Sequence, residues 1–225
     1  MNRYYTRACN FYYGRESRLL VKKKKSLPLN DNKEISFDII EIISRKSKKK
    51  VSIKKLNTLP KILKKKIKED LKIITSKKKN FANLNFNIIP NIMGVLNLTP
   101  DSFSDGGKFN TKNKAVKQAL QMFNSGANII DVGGESTRPG SKSVKQKLEW
   151  NRIHKILSLI CKKVPVSLDT RKSEIMKKGI KLGIKIINDV SGLNYDHKSK
   201  DIIKKYKIPF VIQHSKGTPA TMQIK

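Results

Sequence analysis

From Ile88 onward the chain repeats one pattern: a short run of Val, Ile and Leu, a loop with glycine and polar residues, then a stretch whose apolar positions recur every three or four residues. The runs predict strands at Ile92–Leu98, Ile129–Gly133, Val164–Leu168, Ile184–Asn188 and Phe210–Gln213. Between them, Ala115, Val116, Ala119, Leu120 and Phe123 mark one helical face that stops near Gly126. Leu148, Ile153, Ile156, Leu157 and Ile160 mark a second helix, and Ile202, Ile203 and Tyr206 a shorter third. Strands this uniformly apolar, separated by helices, predict a parallel sheet covered on its outer face.

Residues 1–87 read differently, with Lys clusters at 22–25, 48–50, 64–66 and 77–79 and almost no glycine. Ile35 to Ile42 partly alternates as a strand does, and Val51-Ser52-Ile53 is placed to pair with it. Ile62, Leu63, Ile67, Leu71 and Ile74 follow helical spacing after Pro60, a residue suited to a helix start. Lys77 to Asn87 reads as a polar linker. The expected organisation is thus a small basic α+β module of unknown role at 1–87 and an α/β domain at 88–225. A closed eight-fold barrel takes roughly 250 residues, whereas 138 follow from Ile88 with five strand signals. The expected fold class is therefore α/β, a partial (β/α)8 TIM-type barrel of about five β/α units, truncated at the C-terminus.

A formal charge of +33 would ordinarily direct attention to nucleic acid or an anionic membrane surface. Of the 50 basic residues, however, 42 are Lys and 8 Arg, which fits a bias towards A-rich codons better than a surface that reads phosphate with Arg forks. The charge is also split evenly, 25 basic residues before Ile88 and 25 after, so it marks no single patch, and specific nucleic-acid binding is not expected. Cys9 and Cys161 have no metal-ligand spacing and fit a reducing compartment as unpaired thiols. No apolar run approaches the ~20 residues that span a bilayer, and residues 1–7 lack the apolar stretch of a signal peptide. A cytoplasmic, non-membrane protein is expected.

The chemistry gathers where strands end. Asn97 opens the segment Asn97-Leu98-Thr99-Pro100-Asp101-Ser102-Phe103-Ser104-Asp105-Gly106-Gly107, and strand two runs into Gly133-Gly134-Glu135-Ser136-Thr137-Arg138-Pro139-Gly140. Strand three ends at Asp169 and strand four at Asn188. Polar groups delivered at the carboxyl ends of successive strands are the layout of a β/α-barrel active site. The amide oxygen of Asn97 suits a hard cation. Thr137 and Arg138 suit an anion, and a carboxylate at 169 beside an amide at 188 can accept and donate hydrogen bonds to a polar ligand. Plainer roles exist for each. Asn97 can bond its own turn, Asp169 can cap a helix after Thr170, Asn188 can hold a strand-end turn, and Arg138 can pair with Glu135 on the surface.

Together these segments resemble the dihydropteroate synthase family over about Pro90 to Gln223, and a nine-residue block such as Thr-Pro-Asp-Ser-Phe-Ser-Asp-Gly-Gly is a specific signal. The resemblance implies transfer of a pterin-methyl group from 6-hydroxymethyl-7,8-dihydropterin pyrophosphate to p-aminobenzoate, giving 7,8-dihydropteroate and pyrophosphate. It implies Mg²⁺ at Asn97, pterin at Asp169 and Asn188, pyrophosphate at Thr137 and Arg138, and p-aminobenzoate near Phe103 and Pro139. It further implies that Asp101 and Asp105 serve catalysis from the first loop, and that full-length relatives are homodimers. His214 matches the family at a position to which no catalytic role is assigned, but Gln213 and Ser215 depart from its apolar neighbours. The family's later Asp-Pro-Gly-x-Gly-Phe-Gly-Lys, Ser-Arg-Lys and Arg-x-His-Asp motifs do not occur, so catalysis by these five units alone is not expected. The alternatives are an inactive truncated pterin-binding fragment and a pterin-dependent methyltransferase, although methyltransferases of that type lack both loops.

Overall fold

The computed structural model describes residues 4–86, 90–99, 108–136, 141 and 143–213, with side chains in the first barrel helix described from residue 112. Contacts divide the chain into two compact units, 1–79 and 80–225.

In the first unit the long strand β3 (Asn32–Ile43) is the spine of an antiparallel sheet. β1 (Tyr5–Tyr13) lies along one edge of it, while β2 (Leu27–Leu29) and β4 (Lys48–Ser52) share the other. α1 (Gly14–Lys22) follows β1, and α2 (Lys61–Thr75) begins directly after Pro60. Phe37, Ile40, Ile42 and Val51 of the sheet pack with Ile67 and Leu71 of α2 to form the core. The pairing of residues 35–42 with 51–53 and the helix after Pro60 were legible in the sequence, but β1 and α1 were not. β1 is interrupted at Asn10, whose φ of 56° breaks the alternation and leaves it outside the ladder. α1 buries only Ser17 fully, and its apolar residues Leu19, Leu20 and Val21 are consecutive, so they mark no spaced stripe in the sequence.

The second unit begins earlier than the change in composition at 88. Phe81 bridges Leu84 and lies against Phe86, and Asn80 Oδ1 accepts Phe86 N–H at 3.1 Å, so residues read as linker form an ordered turn of this unit. There follow β5 (Met93–Asn97), α3 (Lys108–Asn124), β6 (Ile129–Gly133), α4 (Gln146–Ile160), β7 (Val166–Asp169), α5 (Ser173–Leu182), β8 (Ile186–Asp189), α6 (Ser199–Tyr206) and β9 (Phe210–Ile212). The five strands pair in chain order, all parallel, which is the sequential winding of a TIM-type barrel arc. Helices cover one face through a continuous core that includes Leu96, Ile130, Val132, Ile153, Leu157, Leu168, Ile175 and Met176. The opposite face carries the register rows Val95–Asp131–Ser167–Ile186 and Asn97–Gly133–Asp169–Asn188.

α5 packs so closely on β7 that a Cβ at Gly179 would lie 2.4 Å from Leu168 Cδ2, and Leu168 is itself fully buried. Gly179→Ala should therefore force the helix away from the sheet and cost about 1–3 kcal/mol. A fall in the urea midpoint at unchanged m-value would register it, and an unchanged midpoint would show that the contact is not close.

Candidate active site

Asn97 stands at the exposed carboxyl end of β5, and its side chain makes no hydrogen bond among the described residues. Two strands away Asp169 ends β7, also without a hydrogen-bond partner among the described residues. Gly133 separates them, and a Cβ there would lie 3.2 Å from Asp169 Oδ2 and 3.6 Å from Asn97 Oδ1. The missing side chain is thus the space into which both polar groups converge. Asn188, the next residue in the row, donates Nδ2–H to Asp131 Oδ2 at 3.0 Å. Asn97, Asp169 and Asn188 are brought together as expected from their strand ends.

Asp169 caps no helix. The cap position of α5 is Lys172, and the Ser173 N–H is taken by Asp196 Oδ2 at 2.9 Å. Asn188 holds no turn either, because the turn after β8 is bonded by Asp189, which accepts Ser191 N–H, Ser191 Oγ–H and Leu193 N–H. Asp169 is left as a largely buried carboxyl that is pushed up to about 7, first by loss of solvent and then by the charges of Asp131, Glu149, Asp189 and Glu135. Asp131 is raised too, by burial, with the nearby Ser167 hydroxyl and the Asn188 amide opposing. Even so, neither Asp131 Oδ1 nor Ser167 Oγ makes a hydrogen bond.

A second cluster, not foreseen from the sequence, frames the loop after β6. Glu135 Oε1 accepts Arg171 Nη2 at 2.8 Å and Val144 N–H at 2.9 Å, while Oε2 accepts Lys172 Nζ at 2.7 Å. Lys172 also pairs with the fully buried Glu149, which accepts Thr170 Oγ1 at 2.6 Å. Arg171 lies 3.9 Å over the ring of Tyr195. Burial opposes the charge of Glu135, but hydrogen bonds from Arg171, Lys172 and Val144 hold it down to about 2. These partners lie 9 to 37 residues from Glu135, beyond the reach of local sequence patterns.

Asp101, Phe103, Asp105, Thr137, Arg138 and Pro139, like His214, lie outside the described residues. Among the described residues no group of three His, Cys, Asp or Glu is placed to hold a metal, and no helix is long and apolar enough to cross a membrane. Burial pushes the Cys161 thiol up to about 11, which favours its protonated form.

The sequence profile of a family described as pterin binding enzyme matches residues 93–225, and the chain belongs to that family. Among its relatives is dihydropteroate synthase of Bacillus subtilis, 42% identical over 127 residues that make up 56% of this chain and 45% of the relative. A dihydropteroate synthase from Anaplasma phagocytophilum, solved with bound 6-hydroxymethylpterin-monophosphate, superposes with a TM-score of 0.54 at 39% identity, over 59% of this chain and 52% of that one. The Xanthomonas albilineans dihydropteroate synthase with 4-aminobenzoic acid gives 0.54 at 38% identity, over 57% and 47%. The chain spans about half the length of the curated relatives it matches.

The raised Asp169 makes a pH prediction. A carboxyl near 7 when folded and 3.8 otherwise takes up a proton on folding between those values, so its penalty is absent below about 4 and grows as pH rises towards 7. Asp169→Asn should be more stable than the parent at pH 8, by at most about 4 kcal/mol at 1.36 kcal/mol per pH unit. The two should converge near pH 4. Urea melts at both pH values test this, and a pH-independent difference would refute it.

Proposed function

We propose that this chain carries the strand-end site of a dihydropteroate synthase, in which 6-hydroxymethyl-7,8-dihydropterin pyrophosphate and p-aminobenzoate condense to 7,8-dihydropteroate and pyrophosphate. The observation that carries the reading is the row Asn97–Gly133–Asp169–Asn188 at the carboxyl ends of parallel strands, where Asn97 and Asp169 converge over a glycine gap and Asn188 stands next to Asp169. The first two have no hydrogen-bond partner among the described residues. A buried carboxylate without a donor is costly, and a ligand that supplies N–H groups removes the cost. Asp169 and Asn188 would hold the pterin edge in this way.

Thr137 and Arg138 would hold the pyrophosphate as the C–O bond breaks. Phe103 and Pro139 would seat the ring of p-aminobenzoate, with Asp101 and Asp105 on the loop that shields it from water. The amine nitrogen attacks the pterin methylene carbon, a C–N bond replaces the C–O bond, and the amine proton leaves with solvent or pyrophosphate. Positioning and leaving-group stabilisation suffice, and no protein nucleophile takes part. The free amide oxygen of Asn97 fits a hard cation. Mg²⁺ held there and by the pyrophosphate would neutralise charge on the leaving group. A cytoplasmic setting suits the two free cysteines.

Calorimetric titration of 6-hydroxymethylpterin into the 225-residue chain, with Mg²⁺ and pyrophosphate present, tests the site. Asp169→Asn should weaken binding roughly tenfold to hundredfold, corresponding to ~1–3 kcal/mol for one lost charged hydrogen bond. Binding of p-aminobenzoate should hardly change. Equal loss for both ligands would indicate a folding defect, and no loss would remove Asp169 from the site. Arg138→Ala should likewise weaken pyrophosphate binding about tenfold with an unchanged melting temperature.

A further inference from the structure

Asp131 sits in the middle of β6 with 5% of its surface exposed, on the same sheet face as the site and one register row behind it. Its Oδ2 accepts Asn188 Nδ2 at 3.0 Å, and its Oδ1 makes no hydrogen bond among the described residues, with the Ser167 hydroxyl nearby. An ionised carboxylate can only accept, so the group Asn188 turns towards it must be the amide nitrogen. The Asn188 amide oxygen is then directed elsewhere, and it makes no hydrogen bond among the described residues. Beside it stand Asp169, another acceptor, and the amide oxygen of Asn97 on the far side of the Gly133 gap. Asp131 takes one of the two Asn188 Nδ2 protons and thereby fixes which way the amide is turned, so that its oxygen joins the acceptors of Asp169 and Asn97.

We infer that Asp131 is a positioning residue that sets the polarity of this site, turning the Asn188 amide oxygen to the ligand and so selecting heterocycles whose edge is rich in N–H donors over isosteres that present carbonyl oxygens there. The inference rests on the pteridine reading of the site for its ligand, but the amide orientation stands apart from that reading. An acceptor row rejects an oxo-substituted ring because two lone pairs then face each other without a proton between them.

The test uses the isotopically labelled full chain with two probes, 6-hydroxymethylpterin and 6-hydroxymethyllumazine, which differ by an amino group replaced by an oxygen. In the parent chain an Asn188 Nδ2 proton should resonate downfield and exchange slowly, and the pterin should bind about tenfold or more tightly than the lumazine. Asp131→Asn should erase the distinctive Asn188 signal and reduce the preference about tenfold, because an amide at 131 can donate or accept and no longer fixes its partner. In the exchanged pair, Asp131→Asn with Asn188→Asp, position 188 can only accept and the preference should return. A structural role alone would lower both affinities together and leave their ratio unchanged. The inference is overturned if the Asn188 signal is ordinary in the parent chain, if Asp131→Asn keeps the preference, or if the folded exchanged pair fails to regain it. Should the parent chain bind neither probe, the pteridine reading fails, while the Asn188 signal still decides what Asp131 does.

Discussion

Five carboxyl groups, those of Asp131, Glu135, Glu149, Asp169 and Asp189, crowd the end of the sheet where β6, β7 and β8 terminate, and the local architecture is organised around holding their charges there. Each is handled differently. Asp189 is wrapped by the N–H groups of its own turn. Glu135 and Glu149 share Lys172, a lysine with 6% exposure that is tolerable only because both its partners are acids. Asp131 is met by an amide. Asp169 alone receives no donor among the described residues, and its raised proton affinity is the residue of that imbalance. The unfavourable position of this one group sets this sheet end apart from a well-satisfied one.

Backbone geometry explains why the groups meet. Parallel strands in chain order place residue ends side by side without crossing connections, so one row contains Asn97, Gly133, Asp169 and Asn188. Gly133 does for the site what Gly179 does for the core. Its missing side chain leaves room for Asn97 and Asp169 to lean inward, while at Gly179 the missing side chain lets α5 settle on Leu168.

Much of this was legible from local pattern. The strand Ile129–Gly133 was read to the residue, because β6 is buried on both faces and every position is apolar, small or functional. Strands at 166–169 and 186–189 were read two residues early, since Val164 and Ile184 belong to the core without belonging to the ladder. α5 escaped firm prediction, as its buried positions include Ser173 and Gly179 and its apolar stripe is thin. The ion cluster escaped entirely. Nothing in the spacing of Glu135, Glu149, Arg171 and Lys172 announces that they touch, because their proximity is produced by barrel winding. The same holds for Asp131, which stands inside the strand Ile-Ile-Asp-Val-Gly and meets Asn188, 57 residues on, only because the strands wind side by side.

Glu135 has one more property of interest. It stands where the chain leaves β6, and it accepts the N–H of Val144, where the chain returns to begin α4; within that span Ser141 Oγ also donates to Ser136 O at 2.7 Å. The excursion between them is therefore tied shut at its base by bonds that do not involve Thr137, Arg138 or Pro139. Closure entropy grows only slowly with length, so a tether at the base separates the sequence of the excursion from the stability of the scaffold.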